Sequence, residues 1–566
     1  RAPSSSSPPA TLPNPFLGNG TADDPYLVDW IPGELANPYN WPDGFKWYLT
    51  VLAAIVTLCS AFGSSVYAGA IEEIMKTLGA SQELATAGIS LYVLCFGGGT
   101  LLFAPLSEMI GRRMVFNITF PLFGAWSIGA ALSPNIAALL VFRTLSGFFG
   151  SAPLTNGGGQ VADVWQEKQR ATAASLFALA PFLGPVLGPI VGGFVGENCG
   201  FRWVLWVQVI FIGVMIVLCV FMFPETYAPT LLRRKAAKLQ ALADQNKTGE
   251  VFISKFDKVH RTNKEIVMIG LARPFELLFK ELIVAAFAGY CAIVYGTLYM
   301  FFTAFPIVFQ DHRGWSQGVG GLAFCGVGVG LVIGALINPL GNKFYAKAAL
   351  ASAPHRPPPE SRLPMCCLGA VLLPIGLFWF AWTSEPSVHW IVPIIASAPF
   401  GAGFLLIFTS MIMYLLDSYT LYGASALAAN AVARSVLGAV FPLFAAYMYN
   451  NLGLEWAGTL VAFLSLVCTP IPFLFYYYGH ILRRNSRYAP SEPVVKKASS
   501  IGDEEKGPNA LGGTLKRIPT PLDEALNPGL QTGAGENRGV GRGRDVDIML
   551  GRIITGKSLK GIKEEV

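Results

Sequence analysis

Apolar residues along this chain cluster in runs of about twenty, the length that spans the hydrocarbon core of a bilayer as a helix. Six runs cover residues 46–69, 84–106, 114–132, 136–156, 171–196 and 203–223. Six more cover 282–308, 317–340, 364–383, 389–416, 424–448 and 456–479. A membrane barrel strand alternates over about ten residues, so runs this long and continuous predict helices. The reading is an all-α integral membrane protein of twelve transmembrane helices.

A polar stretch over 224–280 divides the twelve into six and six, the mark of two parallel repeats. A short echo, Ala173-Ala174-Ser175-Leu176 against Ala424-Ser425-Ala426-Leu427, opens the fifth and eleventh runs. The expected organisation is a tail (1–45), a six-helix half (46–223), a middle loop (224–280), a second six-helix half (281–480) and a second tail (481–566). Both tails are polar and poor in large apolar residues, and are expected to be disordered. The first offers no apolar leader, so the first run is expected to serve as its own insertion signal. The sequence opens on Arg1, which leaves the start of the chain open.

Composition narrows the class. Charged residues make up 13% of the chain, against about 25% in soluble domains, too few to cover a water-soluble body. The net charge of +6 is modest and gives no reason to expect nucleic acid as a partner. Its placement is informative. The loops assigned to the inside hold Arg112, Arg113, Lys168, Arg170, eleven basic residues from Arg233 to Lys280, then Lys343, Lys347, Arg356 and Arg362. The opposite loops hold only Lys76, Arg202 and Arg313. Positive charge stays in the cytoplasm, so both termini are expected there.

Candidate chemistry is sparse. The nine cysteines lie mostly within apolar runs without a CxxC pair, and the five histidines form no group. No metal, cofactor or enzyme centre is expected. Gly551 to Ser558 fits the phosphate-loop letter pattern, but eight residues follow it where a nucleotide-binding domain is needed. An ATP-driven pump is not expected. Three sequons, at Asn19, Asn117 and Asn246, fall on the inside or at the membrane edge of this topology, where no glycan is expected.

Three stretches carry more. Pro105-Leu106-Ser107-Glu108 runs through Gly111 to Arg112-Arg113 at the inner end of the second helix. A carboxylate, a turn glycine and two arginines there suit a charge latch between helices, or plain anchoring charge. Arg143 lies about 10 Å into the bilayer by helix rise, with Gly147 and Gly150 on a small-residue face. A buried arginine needs a cavity, a partner or backbone carbonyls, and Arg434 raises the same question. Gly184-Pro185, Gly188-Pro189 and Gly192-Gly193 kink and thin the fifth helix.

Taken together these stretches resemble the major facilitator superfamily, and within it the fungal twelve-helix drug:proton antiporters. Arg202-Trp203, Pro224-Glu225-Thr226-Tyr227, Arg273-Pro274-Phe275, Gly314-Trp315 and Asp417-Ser418-Tyr419 extend the likeness over about 38–490. The resemblance implies efflux of drugs, toxins or secondary metabolites by alternating access, driven by a proton gradient, from a monomer in the plasma membrane. It implies proton coupling at Arg143 with Asp163, and gating by Glu108, Gly111, Arg112 and Arg113. It links Gly184, Pro185, Gly188, Pro189, Gly192 and Gly193 to export. A substrate cavity is expected to involve Tyr295, Tyr299, Phe302 and Arg434. The segment Asn342 to Arg362 lacks a second Gly-Arg-Arg, so any second gate is expected to be degenerate, which argues against a sugar importer. No acid lies at the centre of a helix, so the proton carrier is unassigned. Import of a nutrient on the same fold stands as the alternative, with a non-transporting sensor behind it.

Overall fold

The computed structural model describes residues 15–258, 263–352, 357–420, 422–484, 486 and 488. Residues 494–566, with the phosphate-loop look-alike, lie outside the described residues, as does residue 1 to residue 14.

Among the described residues eleven helical segments are long and apolar enough to cross a membrane. In the first half they are α1 (Asp43–Leu78), α2 (Gln82–Ile110), α3 (Arg112–Ala131), α4 (Ile136–Val164), α5 (Glu167–Cys199) and α6 (Phe201–Met222). Two further helices follow, the polar α7 (Ala228–Asn246) and the mixed apolar and charged α8 (Asn263–Lys280). The second half holds α9 (Leu282–Asp311), α10 (Gln317–Ser352), α11 (Pro364–Thr383), α12 (Ile391–Ser418) and α13 (Gly423–Arg484). The 62 residues of α13 would measure about 93 Å as one helix, some three hydrocarbon cores. The helix breaks at Gly453, with φ 78 and ψ 169, so α13 supplies two spans and the described residues hold twelve.

Gly453 has counterparts. Gly111 (φ 97, ψ 157) joins α2 to α3, and Gly200 (φ 82, ψ 166) joins α5 to α6. This backbone region is essentially closed to residues with a Cβ. A single glycine therefore makes each reversal.

The outer surface of the bundle is apolar. On α6 the exposed side chains Trp203, Ile210, Val214, Val217 and Phe221 recur at helical spacing on one face. Trp456, Leu460, Phe463, Val467 and Leu474 do the same on the second arm of α13. Continuous apolar stripes of this length suit lipid rather than water.

The segment expected as a disordered tail is ordered where it is described. Tyr26–Val28 (β1) pairs in parallel with Phe252–Ser254 (β2), so the chain before α1 is laced to the connection between the halves. Val28, Leu232 and Ala236 form a small buried cluster there. Lys235 Nζ reaches Glu34 at 2.7 Å and Lys255 Nζ reaches Asp29 at 2.6 Å. Polar composition misled the expectation, because a short strand needs only one apolar face and a partner. The middle connection is likewise built of α7, β2 and α8 rather than open loop.

Candidate functional site

The face that carries Arg112 and the connecting helices, here the basic face, is latched in the first half. Gly111 turns the chain sharply, so the first N–H groups of α3 point out of the turn. Glu225 takes them: Arg112 N donates to its Oε1 at 3.0 Å and Arg113 N to its Oε2 at 3.2 Å. A carboxylate at a helix N-terminus also meets the positive end of the helix dipole. The Arg112 side chain turns the other way. Its Nε lies 3.3 Å from Asp163 Oδ2 at the end of α4, and its Nη1 donates to Ser107 Oγ at 2.6 Å. The Tyr227 ring lies 4.9 Å from the guanidinium, and burial pushes the Tyr227 phenol up to about 12, with the Glu108 charge next in weight.

The latch is thus real in geometry, but its carboxylates are Asp163 and Glu225. Glu108 is exposed and is not among the latch's hydrogen bonds. The sequence pattern pointed to Glu108 because it is near in number, whereas the fold supplies acids from α4 and from the start of the connection.

Arg143 is buried to 1% exposure. Its Nη1 donates to Gly63 O at 2.8 Å and its Nε to Gly88 O at 3.2 Å. The Tyr67 and Tyr92 rings lie 4.6 and 4.5 Å from the guanidinium. Two carbonyls and two ring faces offset the cost of a charge at this depth. Asp163 lies twenty residues further along α4, about 30 Å by helix rise. The two residues expected to share proton coupling therefore occupy separate sites.

The glycines of α5 serve close packing. A Cβ on Gly184, Gly188 or Gly192 would collide with the α1 backbone at Phe62 or Val66. One on Gly193 would strike Gln317 O at the start of α10. Ser65 Oγ donates to Gly184 O at 3.1 Å. Pro185 and Pro189 stand inside the helix. This helix is therefore wedged between α1 of its own half and α10 of the other, away from the basic face.

Between the halves lies a cavity of about 10 Å³ lined by Ser64, Phe96, Leu154, Phe182, Tyr295, Tyr299 and Arg434, among others. That is room for about one water. Ser64 and Tyr299 share a hydrogen bond of 2.7 Å across the two halves, and Tyr295 donates to Tyr299 at 3.3 Å. Arg434 lies 5.1 Å from the Tyr295 ring centre. Phe302 does not line this cavity. It packs behind Tyr299 and against Phe324, with ring centres 5.0 and 5.5 Å apart.

A second latch was not legible in the sequence. Arg362 Nε, just before α11, lies 2.9 Å from Asp417 Oδ2 at the end of α12. Arg483, at the end of α13, makes a two-pronged pair with Glu360, both contacts at 2.9 Å. The expectation of a degenerate second gate rested on the missing Gly-Arg-Arg. The charges are present without that motif, and in the outer pair the acid and base have changed places relative to Glu225 and the Arg112 turn.

A dozen apolar spans in two halves among the described residues, arginines paired with acids at one face and a small cavity between the halves fit a membrane transporter built of two repeats. The sequence matches the profile of the Major Facilitator Superfamily over residues 53–442. The chain belongs to that superfamily. It is 50% identical over 483 residues to the MFS-type efflux pump MFS2 of Trichophyton rubrum, covering 85% of this chain and 80% of that one. It is 49% identical over 513 residues to the multidrug transporter mdrA of Aspergillus fumigatus, covering 90% and 81%. With the efflux pump FUB11 of Gibberella moniliformis identity is 47% over 490 residues, covering 86% and 82%. Among solved structures the fold matches the proton:xylose symporter XylE at a TM-score of 0.52 and 16% identity, covering 77% of this chain and 96% of that one. A peptide transporter matches at 0.54 and 15% identity, covering 79% and 97%.

Proposed function

We propose that this protein exports small organic compounds (drugs, toxins or secondary metabolites) in exchange for protons. The basic face and both termini lie in the cytoplasm of a cell whose plasma membrane the monomer spans. The observation that carries this reading is the likeness, over at least four fifths of both chains, to fungal proteins named as efflux pumps and a multidrug transporter. The wedged Gly-Pro helix supports it, because α5 touches both halves at the face where an exported molecule must leave.

In this reading the Arg112–Asp163 latch, held by Gly111 and backed by Arg113, keeps the basic face shut and opens when Asp163 takes up a proton. Neutralising the carboxylate removes the attraction that holds Arg112. Glu108 modulates the same gate through Tyr227. Arg143 fixes α1 and α2 to α4 and sets the geometry in which coupling occurs. Tyr295, Tyr299 and Arg434 meet the substrate once the cavity widens, with Phe302 shaping the wall behind them.

The test is transport in sealed vesicles with an imposed pH gradient and a panel of fluorescent lipophilic dyes, comparing the wild type with Arg143→Ala. Uphill movement driven by the gradient, and lost in the variant at equal protein level, is the expected result. Movement indifferent to the gradient makes the protein a facilitator, and movement of nutrients alone makes it an importer.

A further inference from the structure

The polar side chains of the first half are not confined to its two ends. Asn156 and Gln160 lie on α4 at 0% and 1% exposure, and all four of their amide atoms lack a hydrogen-bond partner among the described residues. Leaving a buried amide unpaired is destabilising, and an apolar isostere in the same space avoids that cost. Packing alone therefore does not account for two such side chains one turn apart.

Their direction follows from the helix. Gly157 faces the Phe177 ring of α5 and, beside it, Thr57 of α1, and Gly159 faces the Arg112 guanidinium. At about 100° per residue, Asn156, Gln160 and Asp163 fall in the sector between those two directions, on successive turns of one face. Leu154, which borders the central cavity, points the opposite way. The two amides thus look into the interior of the first half, toward the carboxylate of the latch.

A buried polar path leads away from them in the other direction. Thr57 Oγ1 donates to Pro153 O, one turn before Asn156, at 3.3 Å. Ser60 is the next turn of α1, and its carbonyl accepts from the Tyr92 hydroxyl at 2.9 Å. Tyr92 lies against Arg143, where Arg143 Nη2 and the Tyr67 hydroxyl also lack a partner among the described residues. Buried waters make about three hydrogen bonds each to such unsatisfied groups, and an amide pair offers them both donors and acceptors.

We propose that Asn156 and Gln160 are a water-binding site inside the first half, and that the waters they hold pass protons between the Tyr92–Arg143 cluster and the Asp163 carboxylate. The proposal rests on the proton-coupled reading above and supplies the route it needs between two sites on opposite ends of α4. Only O–H bonds form and break. A proton entering from the Arg143 end moves along the waters to Asp163 and frees Arg112. It then leaves to the basic face, and the waters turn back to their starting orientation. The amides do not ionise. They are positioning residues that order the chain.

The experiment uses the full chain in proteoliposomes with rhodamine 6G as probe, and pairs two assays. One measures gradient-driven uptake, and the other measures dye exchange with no gradient. The double variant Asn156→Leu with Gln160→Met keeps side-chain volume and removes every amide atom. We expect gradient-driven uptake to fall at least tenfold, exchange to stay within twofold of wild type, and Tm to hold or rise. The swapped variant Asn156→Gln with Gln160→Asn restores amides to both positions and is expected to recover at least half of the driven rate. Gln160→Met alone serves if the double variant does not fold. A folded variant that keeps the driven rate within twofold overturns the relay while leaving antiport intact. A wild type that ignores the gradient overturns antiport itself and the relay with it.

Discussion

Arg362 and Asp417 stand 2.9 Å apart in the second half, at the positions that Arg112 and Asp163 hold in the first. In both, an arginine at the start of one span meets an acid at the end of the next. The halves differ in the flanking pair, where Arg483 and Glu360 close the second half through side chains at both ends.

That flanking pair is buried on both sides, with side chains 9% and 10% exposed. Removing one member of a buried ion pair costs about 3–5 kcal/mol, whereas replacing both by apolar groups is often neutral. Glu360→Gln is therefore expected to lower Tm by several degrees in detergent. Glu360→Leu with Arg483→Leu is expected to regain most of that loss. Equal losses in the single and double variants would remove the ion pair as the cause.

Gly111 and Gly453 share a backbone conformation but not a neighbourhood. A Cβ at Gly111 would strike the Glu225 carboxylate, and one at Gly453 would meet nothing within 4 Å. Strain alone costs about 1–3 kcal/mol at either site. Gly453→Ala should therefore lower thermal stability by that amount, and Gly111→Ala by more, with loss of transport as Glu225 is displaced. Parallel melting curves decide the order.

Membrane orientation has a simple chemical test. Cys199 is exposed at the end of α5, away from the basic face. A membrane-impermeant maleimide added to intact cells is expected to label it, and Cys199→Ala should abolish that signal. Labelling of this cysteine only after the cells are opened would reverse the topology.

Tyr227 sits beside the first latch with its phenol raised to about 12. A raised phenol holds its proton in the folded state, and any stability it contributes is lost only as pH climbs through that value. The hydroxyl stays protonated across the physiological range and cannot be the group that titrates during turnover. Tyr227→Phe should leave the pH profile of transport between 5 and 8 unmoved, as a rate-against-pH series in vesicles will record.

Much of this was legible in the chain, for identifiable reasons. Each span announces itself because about twenty apolar residues have few other uses. Gly111 and the Arg112 pair were visible as a motif, and Arg143 as a charge at depth. The sequence could not say which acid Arg112 meets, because Asp163 and Glu225 arrive from distant positions. The Arg362–Asp417 and Arg483–Glu360 pairs escaped for the same reason, since neither forms a local pattern. Asn156 and Gln160 gave no signal at all, as two amides in an apolar run look like tolerated exceptions until their surroundings are known. The order around Tyr26 has no local signature, because its partner Phe252 lies across the whole first half.

Gly200 and Gly453 close their turns with one residue each, and each joins the last two spans of a half. So short a link has consequences for biogenesis. In the finished fold neither α5 and α6 nor the two arms of α13 have a soluble segment between them, so each pair can enter the bilayer as one hairpin with the glycine at its tip. A residue inserted beside either glycine lengthens that tip, so its first effect falls on the yield of inserted protein, ahead of any effect on the finished transporter.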